Sequence, residues 1–244
     1  LKDNHEEYEF LKELNADLAI VCAYGQIIPE NFLNLTKKGF VNIHASILPS
    51  WRGAAPIQRS IMNLDPETGI SIMKIKKELD SGPVSNIYKI KIDQNQNAQE
   101  ISEKLSALAA EKILDNVDDI LEDKAKFIDQ DHSKATYAKK IDKEESRIDW
   151  DEDASKILGK INGLFPSPGA SFSFNGERYK ILKAEIGNGI GQVGEIISNQ
   201  LEVACNKNQS IKILEIQRQG KRPQKISEFM LGSQIKKGSK LSNV

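Results

Sequence analysis

Between Ala16 and Ser46 the chain sets two short, nearly unbroken apolar runs, "ADLAIVCAYG" and "FVNIHAS", on either side of the segment "PENFLNLTKKG". Runs this short suit strands buried on both faces of a sheet, and two such strands pointing the same way need a crossover between them. Pro29 at the first turn and Gly39 past the end mark the intervening segment as a short crossover helix. Pro56 then opens a second helix with Ile57, Ile61 and Leu64 at helical spacing. Strand, helix, strand, loop, helix is half of a doubly wound, mostly parallel α/β sheet, a Rossmann-like arrangement.

The next apolar segments alternate with polar residues. "GISIMKIKK" and "NIYKIKID" therefore read as antiparallel strands at the edge, making the sheet mixed. "NAQEISEKLSALAAEKILDNVDDIL" is a long amphipathic helix. Asn97 and Glu100 form a capping box, and Ile101, Leu105, Leu108, Val117 and Leu121 form its apolar face. Little periodicity follows until Trp150, as expected of an extended linker. Beyond it come the helix "ASKILGKINGLF", a Pro-Ser-Pro-Gly turn and an Asn175-Gly176 hairpin between "SFSF" and "RYKIL". The short strands "GEIIS", "LEVAC" and "IKILEIQ" complete the series. Short strands at regular spacing predict a small C-terminal β-barrel of the oligonucleotide-binding (OB) type. The expected domains are 1–128, a linker at 129–150, and 151–244. The chain starts at Leu1 rather than Met and holds few strands for a doubly wound domain. Leading strand-helix units are therefore expected to precede it.

Charge divides along the chain. From Lys207 onward nine basic residues face two acidic ones, a balance of +7, so the remainder carries −8 of a total of −1. A basic module on an acidic body fits a polyanionic partner for one part and chemistry in the other. Cys22 and Cys205 stand far apart with no metal-ligand spacing, and His5, His44 and His132 form no ligand set, so no metal is expected. No apolar run approaches the roughly 20 residues that span a bilayer and the first residues are charged, so no membrane contact is expected; the sparse cysteines fit a reducing, cytoplasmic setting, and a monomer is the further expectation. The sequons at Asn34 and Asn208 are then chance matches.

Gly189, Gly191 and Gly194 have dinucleotide-fingerprint spacing, but a strand-like "EIIS" follows where that motif requires a helix, so a loop is expected. More informative are Asn42 and His44, alternate residues of one strand whose side chains share a face near its carboxyl end, where open α/β sheets bind ligands. A satisfied core histidine is the plainer alternative. Asp80, in "LDSG", supplies a carboxylate that can brace the imidazole. An amide donor beside a braced imidazole can stabilise an oxyanion as a carbonyl becomes tetrahedral, which suggests acyl transfer. Ser46 lies in no nucleophile-elbow pattern and both cysteines sit in apolar runs, so a substrate amine is expected to attack directly.

"NIHASILPSWRGAAPIQRSI" followed by "LDSG" resembles the formyltransferase family that uses 10-formyltetrahydrofolate. The likeness continues through "AYGQIIP", "TYAKKIDKEESRIDW" and "KINGLFPSPGASF". The resemblance implies transfer of a formyl group to the methionine α-amine of initiator methionyl-tRNA, with Asn42, His44 and Asp80 as the catalytic trio. It also implies a folate pocket at Tyr24, Gln26, Ile27, Ile28 and Pro29 and at the turn Ser46, Ile47, Leu48 and Pro49. Backbone groups would bind the pterin there, and Ile27 and Leu48 would flank its ring. Trp51, Arg52, Lys139, Lys140, Lys143, Lys221 and Arg222 would contact tRNA. Two other readings stay open: formylation of a small amine such as glycinamide ribonucleotide or an amino sugar nucleotide, and a tRNA-binding protein built on an inactive enzyme.

Overall fold

The first helix, α1 (His5–Glu13), leads into the apolar run, whose centre is the strand β1 (Ala19–Val21). The crossover that follows is shorter than its sequence suggests. Helix α2 covers Glu30–Leu33 alone, with Pro29 as its N-cap, and the chain then turns through Thr36 to Gly39. Strand β2 (Phe40–His44) runs parallel to β1, pairing Val21 with Asn42. The structure is a computed structural model and describes residues 4–241.

After β2 come the two-residue strand β3 (Arg52–Gly53) and helix α3 (Pro56–Met62). The alternating segments form β4 (Glu67–Lys74) and β5 (Val84–Lys91), both antiparallel to their neighbours, and the sheet order is β1-β2-β4-β5. It is thus a mixed sheet, as the alternation implies, but among the described residues only β1 with β2 is parallel and the other two pairings are antiparallel, so the mostly parallel sheet expected from the sequence is not what these residues form. Helix α4 (Ala98–Leu121) begins at the expected box. Asn97 Oδ1 accepts from Glu100 N at 3.0 Å and Glu100 Oε2 accepts from Asn97 N at 2.9 Å, satisfying two otherwise unpaired amides. Ile120 near its end packs with Val41 and Ile72 of the sheet.

The stretch expected to be an extended linker is partly ordered by pairing. Its Tyr137–Ala138 is strand β6, parallel to β3, and single helical turns occur at His132–Lys134 and Glu144–Ser146. Two residues per strand are too few to leave a periodic signal, so this pairing is invisible in the sequence.

The chain divides into two compact units. One gathers residues up to Ile57, Glu67–Lys91 and Ser102–Lys140; the other gathers Gln58–Pro66, Ile92–Ile101 and Ile141 onward. The second contains helix α5 (Ala154–Gly163), the hairpin strands β7 (Ser171–Phe174) and β8 (Glu177–Gly187), then β9 (Glu202–Cys205), β10 (Gln209–Arg218), β11 (Gln224–Lys225) and helix α6 (Ile226–Gly232). Asn175 and Gly176 turn the hairpin at φ 49° and 78°, the left-handed geometry their sequence predicts. Strands β11-β10-β8-β7 form an antiparallel sheet with β9 added on β10. No pairing closes it into a barrel among the described residues, and "GEIIS" contributes isolated bridges at Glu195 and Ile196 rather than a strand. The glycine-rich segment before it is irregular loop. Trp150, Phe172, Tyr179, Ile181, Ile213 and Phe229 fill this unit's core, with the Phe172 and Tyr179 rings stacked at 5.4 Å.

Candidate functional site

The end of β2 delivers His44 into a nearly closed environment. Its Nε2 lies 2.9 Å from the carbonyl oxygen of Trp51; a carbonyl can only accept, so that nitrogen carries a proton. Nδ1 faces Asp80 Oδ2 at 3.6 Å, opposed but too far apart for a hydrogen bond. Asp80 is held more tightly by another group: the Gly53 amide donates to the same oxygen at 2.8 Å. Asp80 occupies the turn between β4 and β5 at φ 47°, a conformation Asp tolerates better than most residues. Asn42 lies two residues before His44 and is half-buried. Its side-chain amide makes no hydrogen bond among the described residues. The trio therefore comprises a fixed imidazole, a carboxylate anchored by main chain, and an uncommitted amide.

The turn after β2 is shaped from a distance. Ser71 on β4, fully buried, donates through Oγ to Ser46 O at 2.7 Å and accepts from Leu48 N at 3.1 Å. Ser46 is fully buried and donates its own hydroxyl to Ser50 O at 2.6 Å, so its donor is committed within the turn and its oxygen can only accept. Leu48 is 4% exposed and packs on Met73 and Val84, whereas Ile27 is 79% exposed. The expectation that both side chains flank one flat ring is corrected for Leu48, which belongs to the core. The turn does leave two main-chain groups without a hydrogen bond among the described residues, the Ile47 N–H and the Leu48 C=O, one donor and one acceptor side by side. Tyr24 and Gln26 are exposed and Ile28 and Pro29 half-buried in the irregular chain after β1, while Ile47 and Pro49 are half-buried in the turn. Cys22, expected in an apolar strand, lies just past β1 and is exposed.

Arg52 departs most from its expectation. It is 3% exposed, and its guanidinium donates to Gln130 Oε1 from Nε at 3.1 Å and from Nη2 at 2.7 Å. Both of its terminal nitrogens also reach His132 Nδ1 at 3.3 Å. A buried guanidinium so engaged cannot meet a phosphate, so Arg52 leaves the tRNA-contact set. Trp51 is half-buried at φ 61°, and Lys139, Lys140, Lys143, Lys221 and Arg222 are exposed. Gln130, His132 and Ser71 escape the sequence reading because a single polar residue in an aperiodic stretch, or one Ser on a strand, carries no spacing signal.

Among the described residues no group of three or more His, Cys, Asp or Glu is placed to hold a metal ion, and no helix is long and apolar enough to cross a membrane.

An imidazole, a carboxylate and an open amide at the end of a sheet strand define a site suited to transfer at a carbonyl carbon. The family model described as "Formyl transferase" matches residues 2–117 and that described as "Formyl transferase, C-terminal domain" matches residues 140–234; the chain belongs to the formyl transferase family. Within it the chain is 66% identical to the methionyl-tRNA formyltransferase of Pelagibacter ubique, over all of this chain and 79% of that protein. It is 41% identical to the methionyl-tRNA formyltransferase of Dictyoglomus turgidum, over all of this chain and 80% of that one. Among solved structures, HypX from Aquifex aeolicus in complex with tetrahydrofolic acid superposes with a TM-score of 0.72 at 17% identity, over 99% of this chain and 45% of that one. WlaRD, a sugar 3N-formyl transferase, superposes with a TM-score of 0.70 at 21% identity, over 87% of this chain and 77% of that one.

Proposed function

We propose that this chain transfers a formyl group from 10-formyltetrahydrofolate to the methionine α-amine of initiator methionyl-tRNA, in translation initiation. The observation that carries this reading is the 66% identity to a methionyl-tRNA formyltransferase along the whole chain, spanning both family segments. The small-amine and inactive-enzyme alternatives have no comparable support.

The folate supplies the formyl carbon. The uncommitted Ile47 N–H and Leu48 C=O suit the alternating donors and acceptors of a pterin edge, with the chain from Tyr24 to Pro29 bordering the same pocket. Asn42 is the donor to the oxygen that becomes negative when the amine adds to the formyl carbon; its open, half-buried amide supports this role. His44, fixed through Nε2 on Trp51 O, presents its other nitrogen to Asp80. Asp80 stabilises the ring when that nitrogen takes up the proton that the attacking amine loses as its new bond to the formyl carbon forms, and that proton passes to the folate nitrogen as the old C–N bond breaks. The exposed Lys139, Lys140, Lys143, Lys221 and Arg222 supply phosphate contacts that position the acceptor arm. We read residues 1–128 as the catalytic domain, 129–150 as its connection, and 151–244 as a tRNA-binding module of OB type whose strands form an open sheet.

The test compares formyl transfer from 10-formyltetrahydrofolate to charged methionyl-tRNA, glycinamide ribonucleotide and an amino sugar nucleotide side by side. Transfer to the charged tRNA alone is the expected result. Transfer to either small amine at a higher kcat/KM overturns the proposal.

A further inference from the structure

Gln130 uses its whole side-chain amide. Nε2 donates to the carbonyl oxygens of Asp80 at 2.9 Å and Gly82 at 2.7 Å, and Oε1 accepts both bonds from Arg52. Both donors and both acceptor positions are filled, and the opposite amide orientation would set two carbonyls against an oxygen and a guanidinium against an NH2 group. The residue is 8% exposed. One side chain thus ties the turn that carries Asp80 to the strand that carries Gly53, whose amide holds the Asp80 carboxylate. Arg52 is fixed in turn by β3–β6 pairing, opposite Tyr137. Neither Glu nor Met can replace this group: the two turn carbonyls need donors, and the guanidinium needs an acceptor.

We infer that Gln130 is a positioning residue for formyl transfer, acting through Asp80 by fixing its turn and hence its place against His44. Asp80 sits at positive φ, a conformation that persists when the surroundings over-determine it, and Gln130 provides two of the bonds that do so. Without those bonds, the buried Gly82 carbonyl and the part-buried Asp80 carbonyl lack donors, and in the Leu variant the buried Arg52 guanidinium loses an acceptor, so the turn relaxes away from its present place. Gln130 reaches neither Asn42 nor His44 in any of its bonds, so its effect passes through the Asp80 turn or through Arg52, whose neighbour Trp51 carries the carbonyl on His44, and the Asp80→Asn background separates these two routes.

This inference rests on the proposed transferase reading, and the experiment separates the two. Steady-state kinetics with charged methionyl-tRNA and 10-formyltetrahydrofolate are measured for the intact enzyme and for Gln130→Leu, Gln130→Glu, Asp80→Asn and each Gln130 variant combined with Asp80→Asn. Gln130→Glu keeps the acceptor for Arg52 and removes only the donor. Circular dichroism melting identifies which of the two variants retains the fold, and that variant is read. The expected result is a kcat lower by about tenfold to a hundredfold, the scale of a catalytic group displaced by around 1 Å, with both KM values unchanged. In the Asp80→Asn background the same substitution should cost nothing further, because the group it positions is already disabled. A wild-type kcat in the folded variant, or an equal fold-loss in both backgrounds, overturns the inference while leaving the transferase reading intact. A wild-type kcat for Asp80→Asn removes Asp80 from the proposed trio and the inference with it, whereas the transferase reading falls only if the intact enzyme transfers no formyl group to methionyl-tRNA.

Discussion

Gly53 joins stability and catalysis at one backbone position, and replacing it by alanine tests both. Its φ of 126° lies where residues with a Cβ are strained, at a cost of about 1–3 kcal/mol. The added Cβ would stand 2.6 Å from the carbonyl oxygen of Ala138 on the paired strand. Restoring an ordinary contact of about 3.5 Å requires β3 and β6 to part by roughly 1 Å. That movement takes with it the Gly53 N–H now 2.8 Å from Asp80 Oδ2, a hydrogen bond to a charged group worth about 1.5–3 kcal/mol. With partial relaxation the total is on the order of 3 kcal/mol, and melting should fall by about 10 °C. With Asp80 in its proposed catalytic role, turnover should fall about a hundredfold, the scale expected when such a carboxylate moves by 1 Å. Gly176→Ala is the control. Gly176 also has positive φ, at 78°, but a Cβ there meets nothing within 4 Å, so that variant should lose some stability and keep its turnover. The assay pairs melting with initial rates of formyl transfer. Wild-type melting and turnover in Gly53→Ala would refute the claim that β3 anchors Asp80.

Three further outcomes follow from other interactions. Arg59 donates to both carboxylate oxygens of Glu145, at 2.5 and 2.9 Å, and this pairing holds the Glu145 carboxyl below its usual 4.5. The resulting stability is present above that value and disappears as pH falls through the lowered one. Arg59→Met should therefore cost about 1 kcal/mol at neutral pH, discounted for partial exposure, and flatten the acid side of a melting-versus-pH curve; an unchanged curve contradicts this. Burial pushes the Cys205 thiol up to about 12, while Cys22 is exposed, so a thiol reagent at neutral pH should modify one cysteine in the native protein and two in denaturant; rapid native labelling of both contradicts the core packing. Replacing Lys139, Lys140, Lys221 and Arg222 by neutral residues should weaken tRNA binding and lower the magnitude of its salt slope by about 0.7–0.9 for each phosphate no longer neutralised, whereas an unchanged slope would make those charges ordinary surface.

The features legible in the sequence are those whose cause is local. Apolar runs place β1 and β2, although only β2 is buried as such runs suggest, Ile20 of β1 being 46% exposed; alternation places the antiparallel β4 and β5, and the capping box from Asn97 to Glu100 places the start of α4. Alternation along β2 also puts Asn42 and His44 on the same face of the sheet. What stays hidden depends on meetings between residues far apart in the chain. Ser71 shapes the Ser46 turn across 25 residues, and Gln130 reaches the Asp80 turn across 50. Arg52 looks like a surface cation because basic side chains usually are, and only its meeting with Gln130 and His132 explains its burial. Leu48 reads equally well as pocket lining or core until Met73 and Val84 are found against it. The open sheet of the second unit has the same origin: strand count and turns are local, whereas closure is a property of pairings between distant segments.

If Asn42, His44 and Asp80 act together on a formyl carbon, single-turnover transfer to charged methionyl-tRNA should register the loss of any one of them. With enzyme in excess, the rate is compared between the wild type, His44→Ala and Asp80→Asn, while tRNA and folate affinities are measured separately. The transfer rate should be lower by about a hundredfold to a thousandfold in each variant, with both affinities nearly unchanged. Near wild-type transfer in both variants would contradict that joint action.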